Sequence, residues 1–215
     1  MMRLEARDIA VRRGEDLLID GLSFDLEAGQ ALVVTGRNGS GKSTLLRAIA
    51  GLIPMERGAI RLEGPGPSVH RVAEAGHYLG HRNAMKREMS VYENLAFWKA
   101  FMGGSGASGT GPGLDPDEAA ERLGLSGIIH LPFGYLSAGQ QRRMAFAKLL
   151  VAHRHVWLLD EPTSALDSQS ERVFAGLVGE HLAQGGMVLA ATHQPLGLAE
   201  PRTIVMTGFR HAEMI

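Results

Sequence analysis

Residues 36–44 read GRNGSGKST, the densest concentration of chemistry in the chain. Gly36 is followed, after four residues, by Gly41, Lys42 and Ser43, the spacing of a phosphate-binding loop. Glycines let the backbone turn back so that several N–H groups converge on one anion. A helix starting just beyond adds unpaired donors and the positive end of its dipole. Gly36, Arg37, Asn38, Gly39, Ser40, Gly41, Lys42, Ser43 and Thr44 are therefore expected to wrap the phosphates of a nucleotide. Lys42 would reach the outer phosphates and the Ser43 hydroxyl would ligate Mg2+. The plainer alternative, a glycine-rich turn before an ordinary helix, has no need of Lys and Ser in this register.

Residues 156–161 (VWLLDE) place Asp160 and Glu161 after four apolar residues. Carboxylates at the carboxyl end of a buried strand lie where ligands bind in parallel sheets. Asp160 is expected to hold Mg2+ beside Ser43, directly or through water, and Glu161 to polarise an attacking water. Taken alone, the two acids could instead cap the helix after Pro162 and Thr163. Residues 136–140 (LSAGQ) stand before a helical pattern, and their N–H groups would form a second anion site. A serine before a helix is also a common N-cap. Read by themselves, these residues leave both possibilities open.

The elements that must position these groups follow from periodicity. Residues 4–11 and 22–26 read as strands of a small antiparallel layer, with a turn at Ala28 and Gly29 into an apolar strand over 31–35. Short strands are predicted over 59–62 and 77–79. Ser90 and Glu93 form a capping-box pattern opening a helix through VYENLAFWKAFM. That helix carries more apolar surface (Leu95, Phe97, Trp98, Phe101, Met102) than one buried stripe requires. Residues 103–113 (GGSGASGTGPG) read as a mobile loop, because they cannot bury enough apolar area to order themselves. Helices are predicted over 115–123, 140–153 and 171–183, and buried strands over 156–159, 187–192 and 203–206. Strands alternating with helices imply an α/β fold with a mostly parallel sheet.

The 215 residues suit one large domain, and the 45% hydrophobic content supplies a core. A net charge of -1 gives no basic face for nucleic acid, so no nucleic-acid partner is expected. The chain has no cysteine, which removes disulfides, thiolate metal sites and a Cys nucleophile. No apolar run approaches the length of a membrane span, and the first residues lack the apolar core of a secretion signal. Work at a membrane would need a partner to hold the chain there.

Taken in order, GRNGSGKST, LSAGQ, VWLLDEPTSALD and the lone His193 after AAT resemble the motifs of an ATP-binding-cassette (ABC) ATPase, a P-loop NTPase, over nearly the whole chain. The resemblance implies a mostly parallel core sheet (about 1–80 and 154–215) with an N-terminal antiparallel β layer and an inserted helical subdomain (about 81–153). It implies that Leu136, Ser137, Ala138, Gly139 and Gln140 are the signature that binds the γ-phosphate of ATP held by a second copy, in a head-to-tail dimer. Ser164, Ala165, Leu166 and Asp167 would form the loop that crosses this interface. His193 would be the switch histidine holding the γ-phosphate and the water, and Glu161 and His193 the catalytic pair. Two positions depart from the pattern. His81 stands where the family usually has glutamine, and Arg12 and Arg13 stand where an aromatic usually stacks on adenine, a role that the guanidinium of Arg13 could take.

GHYLGHRNAMKREMSVYENLAFW, with His81, Lys86, Ser90, Glu93, Asn94 and Leu95, resembles the haem-exporter ATPase subunit of bacterial cytochrome c biogenesis. This implies ATP with Mg2+ as its metal, integral membrane partners of the CcmB, CcmC and CcmD type, and release of a haem-loaded chaperone. It also implies a peripheral place on the cytoplasmic face of the inner membrane. Nothing in the chain is expected to bind haem by itself. The ATPase of another transporter, a soluble cassette ATPase and a small-molecule kinase are the competing readings. A kinase leaves LSAGQ and the acid pair without a task.

Overall fold

The structure is a computed structural model, and it describes residues 2–64, 71–102, 113–164, 166–194, 196–198 and 201–207. The expected glycine-rich loop at 103–113 lies outside the described residues except for Gly113, and so does Ala165.

Strands β1 (Arg3–Arg13) and β2 (Asp16–Glu27) form one long antiparallel hairpin, paired from Arg3↔Glu27 to Arg13↔Asp16. Gly14, at φ 64, makes the turn between them. The expectation of a strand over 22–26 captured only half of β2. Residues 16–21 alternate irregularly because the outer face of the hairpin is charged while Leu18 and Ile19 are buried.

Strand β3 (Ala31–Gly36) leads through the glycine loop into α1 (Lys42–Ile49). Strand β4 (Arg57–Glu63) then completes the antiparallel layer, in the order β2-β1-β4. The short helix α2 (Val72–Ala75) precedes β5 (Gly76–Leu79).

Three helices follow, each with a polar start. Helix α3 (Val91–Met102) opens on reciprocal bonds: Ser90 N donates to Glu93 Oε2 at 2.7 Å, and Glu93 N donates to Ser90 Oγ at 3.1 Å. Helix α4 (Pro116–Arg122) opens on the same device between Asp115 and Glu118. Helix α5 (Ala138–Val151) begins two residues earlier than the periodicity suggested, because Ser137 and Gln140 form a third such box.

Strand β6 (Val156–Asp160), α6 (Ser168–Ala183), β7 (Met187–Ala191) and β8 (Arg202–Met206) complete the chain as described. The parallel sheet runs β5-β6-β7-β3-β8. Every residue of β6 and β7 is buried, as an unbroken apolar run covered on both faces requires. One face, through Leu158 and Leu189, packs against α1 and the antiparallel layer. The other, through Trp157, Leu159 and Val188, packs with Phe146 of α5 and Phe174 of α6, whose rings stack at 4.2 Å. Residues of α3, α4 and α5 belong to this second cluster, so the helical segment shares its core with the back of the sheet. Both clusters meet at β6, and the carboxyl end of that strand carries the acid pair.

Candidate functional site

The loop after β3 is shaped by glycine. Gly36, Gly39 and Gly41 have φ values of 135, 81 and 100. A Cβ on Gly36 would stand 2.2 Å from the Met206 carbonyl oxygen, so only glycine fits there. Gly41 is the N-cap of α1, which leaves the first N–H groups of that helix facing the loop.

Lys42 is buried, and its ammonium donates to Gly36 O at 2.8 Å and Arg37 O at 3.2 Å. It also lies 3.0 Å from His193 Nε2, which is itself 3.0 Å from Asn38 Oδ1. With Nε2 unprotonated the imidazole accepts from Lys42; with Nε2 protonated it donates to Asn38. Glu161 Oε1 is 3.7 Å from the same nitrogen. Residues far apart in sequence, Asn38, Lys42, Glu161 and His193, thus meet around one point.

On the floor of the site, Ser43 Oγ donates to Asp160 Oδ1 at 2.8 Å. The other carboxylate oxygen accepts from Tyr78 OH at 3.1 Å, and Arg47 Nε donates to that phenol at 3.2 Å. Burial raises the phenol's pKa above its ordinary value, and the bond to the phenol raises that of the Arg47 guanidinium. A hydroxyl beside an oriented carboxylate suits Mg2+, which keeps several waters and completes its shell with substrate phosphate oxygens. Among the described residues no cluster of three or more His, Asp or Glu side chains could hold a metal alone.

A cavity of about 420 Å³ opens over these groups, lined by Arg13, Leu18, Asn38, Gly39, Gly41, Lys42, Ser43, Thr44, Arg47 and Glu161. Arg13 and Leu18 bring the β1–β2 hairpin to its edge. The two candidate arginines separate here. Arg12 is engaged elsewhere, in an ion pair with Glu56 and a 2.8 Å bond to Glu15 O, and Arg13 alone lines the cavity.

Glu161 stands where β6 ends. Its φ of 48 is in the left-handed region, uncommon for a side chain of this size. Its N–H donates to Ala191 O at 2.8 Å and its carbonyl accepts from Arg142 Nη2 at 2.6 Å, so both sides of the residue are fixed.

The other candidates fall outside the cavity. None of residues 136–140 lines it. Ser137 N donates to Gln140 Oε1 at 2.8 Å, and Gln140 N donates to Ser137 Oγ at 3.3 Å. The N-cap suggested by the sequence is therefore real. It leaves space around Gly139, where a Cβ would meet nothing within 4 Å. In the loop 164–167, Ser164 N donates to Glu161 O at 3.4 Å, and Asp167 caps α6 by accepting from Ser170 N at 2.7 Å. That bond holds the Asp167 carboxyl below its ordinary range. His81 is exposed and makes no side-chain hydrogen bond among the described residues.

Three neighbours of the site, Tyr78, Arg47 and Arg142, lie outside the motifs. Tyr78 lies in the predicted strand over 77–79 and Arg47 in the helix beyond the phosphate loop. Arg142 stands in the predicted helix over 140–153 beside a second arginine, Arg143, and no local pattern separates the two.

Comparison with known proteins supplies the family. The family model described as "ABC transporter" matches residues 19–164. Among solved structures, a putative ABC transporter ATP-binding protein from Pyrococcus furiosus superposes with a TM-score of 0.76 at 23% identity, covering 95% of this chain and 97% of its own. A second, described as an ATP-binding subunit of an ABC transporter, gives 0.74 at 21%, covering 88% and 79%. Fold and site together define an ABC ATPase. Cytochrome c biogenesis ATP-binding export protein CcmA of Rhizobium meliloti (strain 1021) is 61% identical over 210 residues, 98% of this chain and 100% of the relative. CcmA of Agrobacterium fabrum is 58% identical over 213 residues, 99% of each chain. CcmA of Brucella abortus (strain 2308) is 54% identical over 197 residues, 92% of this chain and 88% of the relative. The chain belongs to the CcmA family of ABC transporter ATPases.

Proposed function

We propose that this chain is the ATP-hydrolysing subunit of a membrane complex serving haem export in cytochrome c biogenesis, converting ATP and water to ADP and phosphate. The observation that carries the reading is the meeting of Lys42, Asn38, Glu161 and His193 above the Ser43–Asp160 pair. Lys42 and the loop N–H groups hold the phosphates, and Arg13 stacks against the base at the cavity's edge. Ser43 and Asp160 would hold Mg2+, and the ion would supply neutralisation of charge on the outer phosphates. Glu161 accepts the proton of the attacking water. His193 moves from Lys42 to the γ-phosphate and the water, and His81 closes towards them when nucleotide is bound.

Residues 136–140 stand apart from the cavity of their own chain. Two copies related by a two-fold axis would bring each signature over the partner's ATP. The loop at 164–167 would face the same seam.

Among the described residues no helix is long and apolar enough to cross a membrane. Membrane attachment is therefore assigned to integral partners of the CcmB, CcmC and CcmD type, on the cytoplasmic side. Phe97 and Phe101 of α3 are exposed and their rings stack at 5.8 Å. This apolar face is offered to such a partner, and the work of the cycle is release of a haem-loaded chaperone.

Glu161→Gln tests the reading. It keeps ATP binding, lowers turnover by about a hundredfold or more, and accumulates an ATP-bound dimer on size exclusion. Turnover near wild type would remove Glu161 as the base.

A further inference from the structure

Arg142 belongs to none of the motifs, yet its side chain bonds to two of them, the stretch after β6 and the segment before His81. It lies on the second turn of the signature helix α5 and is 7% exposed. All three guanidinium nitrogens donate to backbone carbonyls. Nη2 reaches Glu161 O at 2.6 Å, Nε reaches Pro162 O at 2.8 Å, and Nη1 reaches Gly80 O at 3.2 Å. Among the described residues no carboxylate lies in salt-bridge range of it, and burial lowers its pKa, with Asp160 and Glu161 acting in the opposite direction. The plane rests over Phe146, 5.7 Å from the ring centroid, which holds its orientation.

A planar, always-charged fork that binds only carbonyls is a geometric device. Burying it costs free energy that a surface position would avoid. One of its anchors is the residue with the left-handed backbone, Glu161. Another is Gly80, the residue before His81. The third joins Pro162 to the same clamp.

We infer that Arg142 is a positioning residue that holds Glu161 and the His81 segment in register with the signature helix. A shift of α5 then moves the backbone of the proposed base and that of residue 80 together. Closure of a partner's ATP onto Ser137 and Gly139 would be transmitted one turn along the helix, through Arg142, to the carboxylate that must align the water. The communication is within one chain, between the part that touches the partner's nucleotide and the part that acts on its own.

The proposal rests on Glu161 as the base, and the experiment separates the two ideas. ATP affinity, steady-state kcat and KM, and single-turnover phosphate release are measured on the full chain with Mg2+ and ATP. The variants are Glu161→Gln, Arg142→Gln, Arg142→Lys and the double variant Arg142→Gln/Glu161→Gln. Arg142→Gln is expected to bind ATP within about twofold of wild type and to lose about 10- to 100-fold in kcat with KM little changed, since misplacing a catalytic group costs rate more than binding. Arg142→Lys, with one compact donor group, recovers part of the loss. The double variant is no slower than Glu161→Gln alone, because a positioning residue has nothing left to position.

Wild-type kcat in Arg142→Gln, losses that multiply in the double variant, or a fall in ATP affinity matching the fall in rate each overturn the proposal. Should Arg142→Gln not fold, Arg142→Lys is read by the same criteria, alone and combined with Glu161→Gln. A fast Glu161→Gln instead overturns the assignment of the base, whatever Arg142 does.

Discussion

At the scale of single residues, the site is built from groups that have little freedom to be anything else. Gly36 combines a left-handed φ of 135 with a Met206 carbonyl oxygen 2.2 Å from where a Cβ would sit. Gly36→Ala must therefore push β8 from β3 or open the loop, and it is expected to abolish ATP binding, as measured by nucleotide titration. Tyr78 is subtler. Its hydroxyl holds one oxygen of Asp160 while Ser43 holds the other. Removing a hydrogen bond to a charged group costs about 1.5 kcal/mol, so Tyr78→Phe should raise the Mg2+ concentration for half-maximal activity about tenfold. ATP affinity without Mg2+ should stay unchanged. A Mg2+ requirement equal to wild type would show that Ser43 orients the carboxylate unaided.

At the scale of elements, the signature helix asks one serine to do two things. Ser137 caps α5, and in the proposed dimer it also meets a partner's γ-phosphate. The two tasks can be separated, because aspartate caps helices as well as serine does but repels an anion. Ser137→Ala should lower stability by about 1 kcal/mol in urea unfolding. Ser137→Asp should restore that stability and still block ATP-driven dimerisation in the Glu161→Gln background. Dimerisation of the Asp variant would remove Ser137 from the phosphate site. The same helix shows what could be read in advance. Its existence, the buried strands β6 and β7 and the phosphate loop follow from apolar runs and glycine spacing. Residues 16–21 of β2 were hidden because a hairpin exposing one face interleaves charge with its core residues. The nearness of Ser43 and Asp160 is expected from their two motifs, whereas the contacts of Arg142 with Glu161, Pro162 and Gly80 join residues 19, 20 and 62 positions apart. Only the order of strands in the sheet brings such pairs together, and no local pattern encodes that order.

At the scale of the whole molecule, the end of the sheet opposite the nucleotide carries a cost in acid. His77, at the start of β5, is buried with one ring nitrogen 2.6 Å from Ala152 O. Burial lowers its pKa to about 3, with the Lys148 and Arg154 charges acting in the same direction. His181 of α6 stacks on Trp157 at 4.0 Å, and burial, together with His153, lowers its pKa to about 4. The charged groups acting on these rings are basic, and the backbone hydrogen bonds with Ala152 for His77, and with Met187 and His155 for His181, offset only part of the cost of burial. In the unfolded chain both imidazoles take up a proton near their ordinary value of 6.5. Above that pH neither state binds the proton and the histidines leave stability unaffected. Below it the unfolded chain gains protons that the folded chain refuses, and stability falls until the pH reaches the folded values. Each such group contributes a slope of about 1.4 kcal/mol per pH unit, so His77 and His181 give about 3 kcal/mol per pH unit between about pH 6 and pH 4, and His153, whose pKa burial also lowers, acts in the same direction. The carboxylates held below their ordinary range, Asp8, Glu93 and Asp167, begin to matter only as the pH nears their unfolded values of 3.8 to 4.5. Urea unfolding from pH 7.5 down to pH 5.0 therefore isolates the histidines. The free energy should be flat above about pH 7 and fall steadily below about pH 6.5, and His77→Leu should reduce that slope by about 1.4 kcal/mol per pH unit. A wild-type curve flat to pH 5, or an undiminished slope in His77→Leu, would show that acid reaches these rings without unfolding the sheet around them.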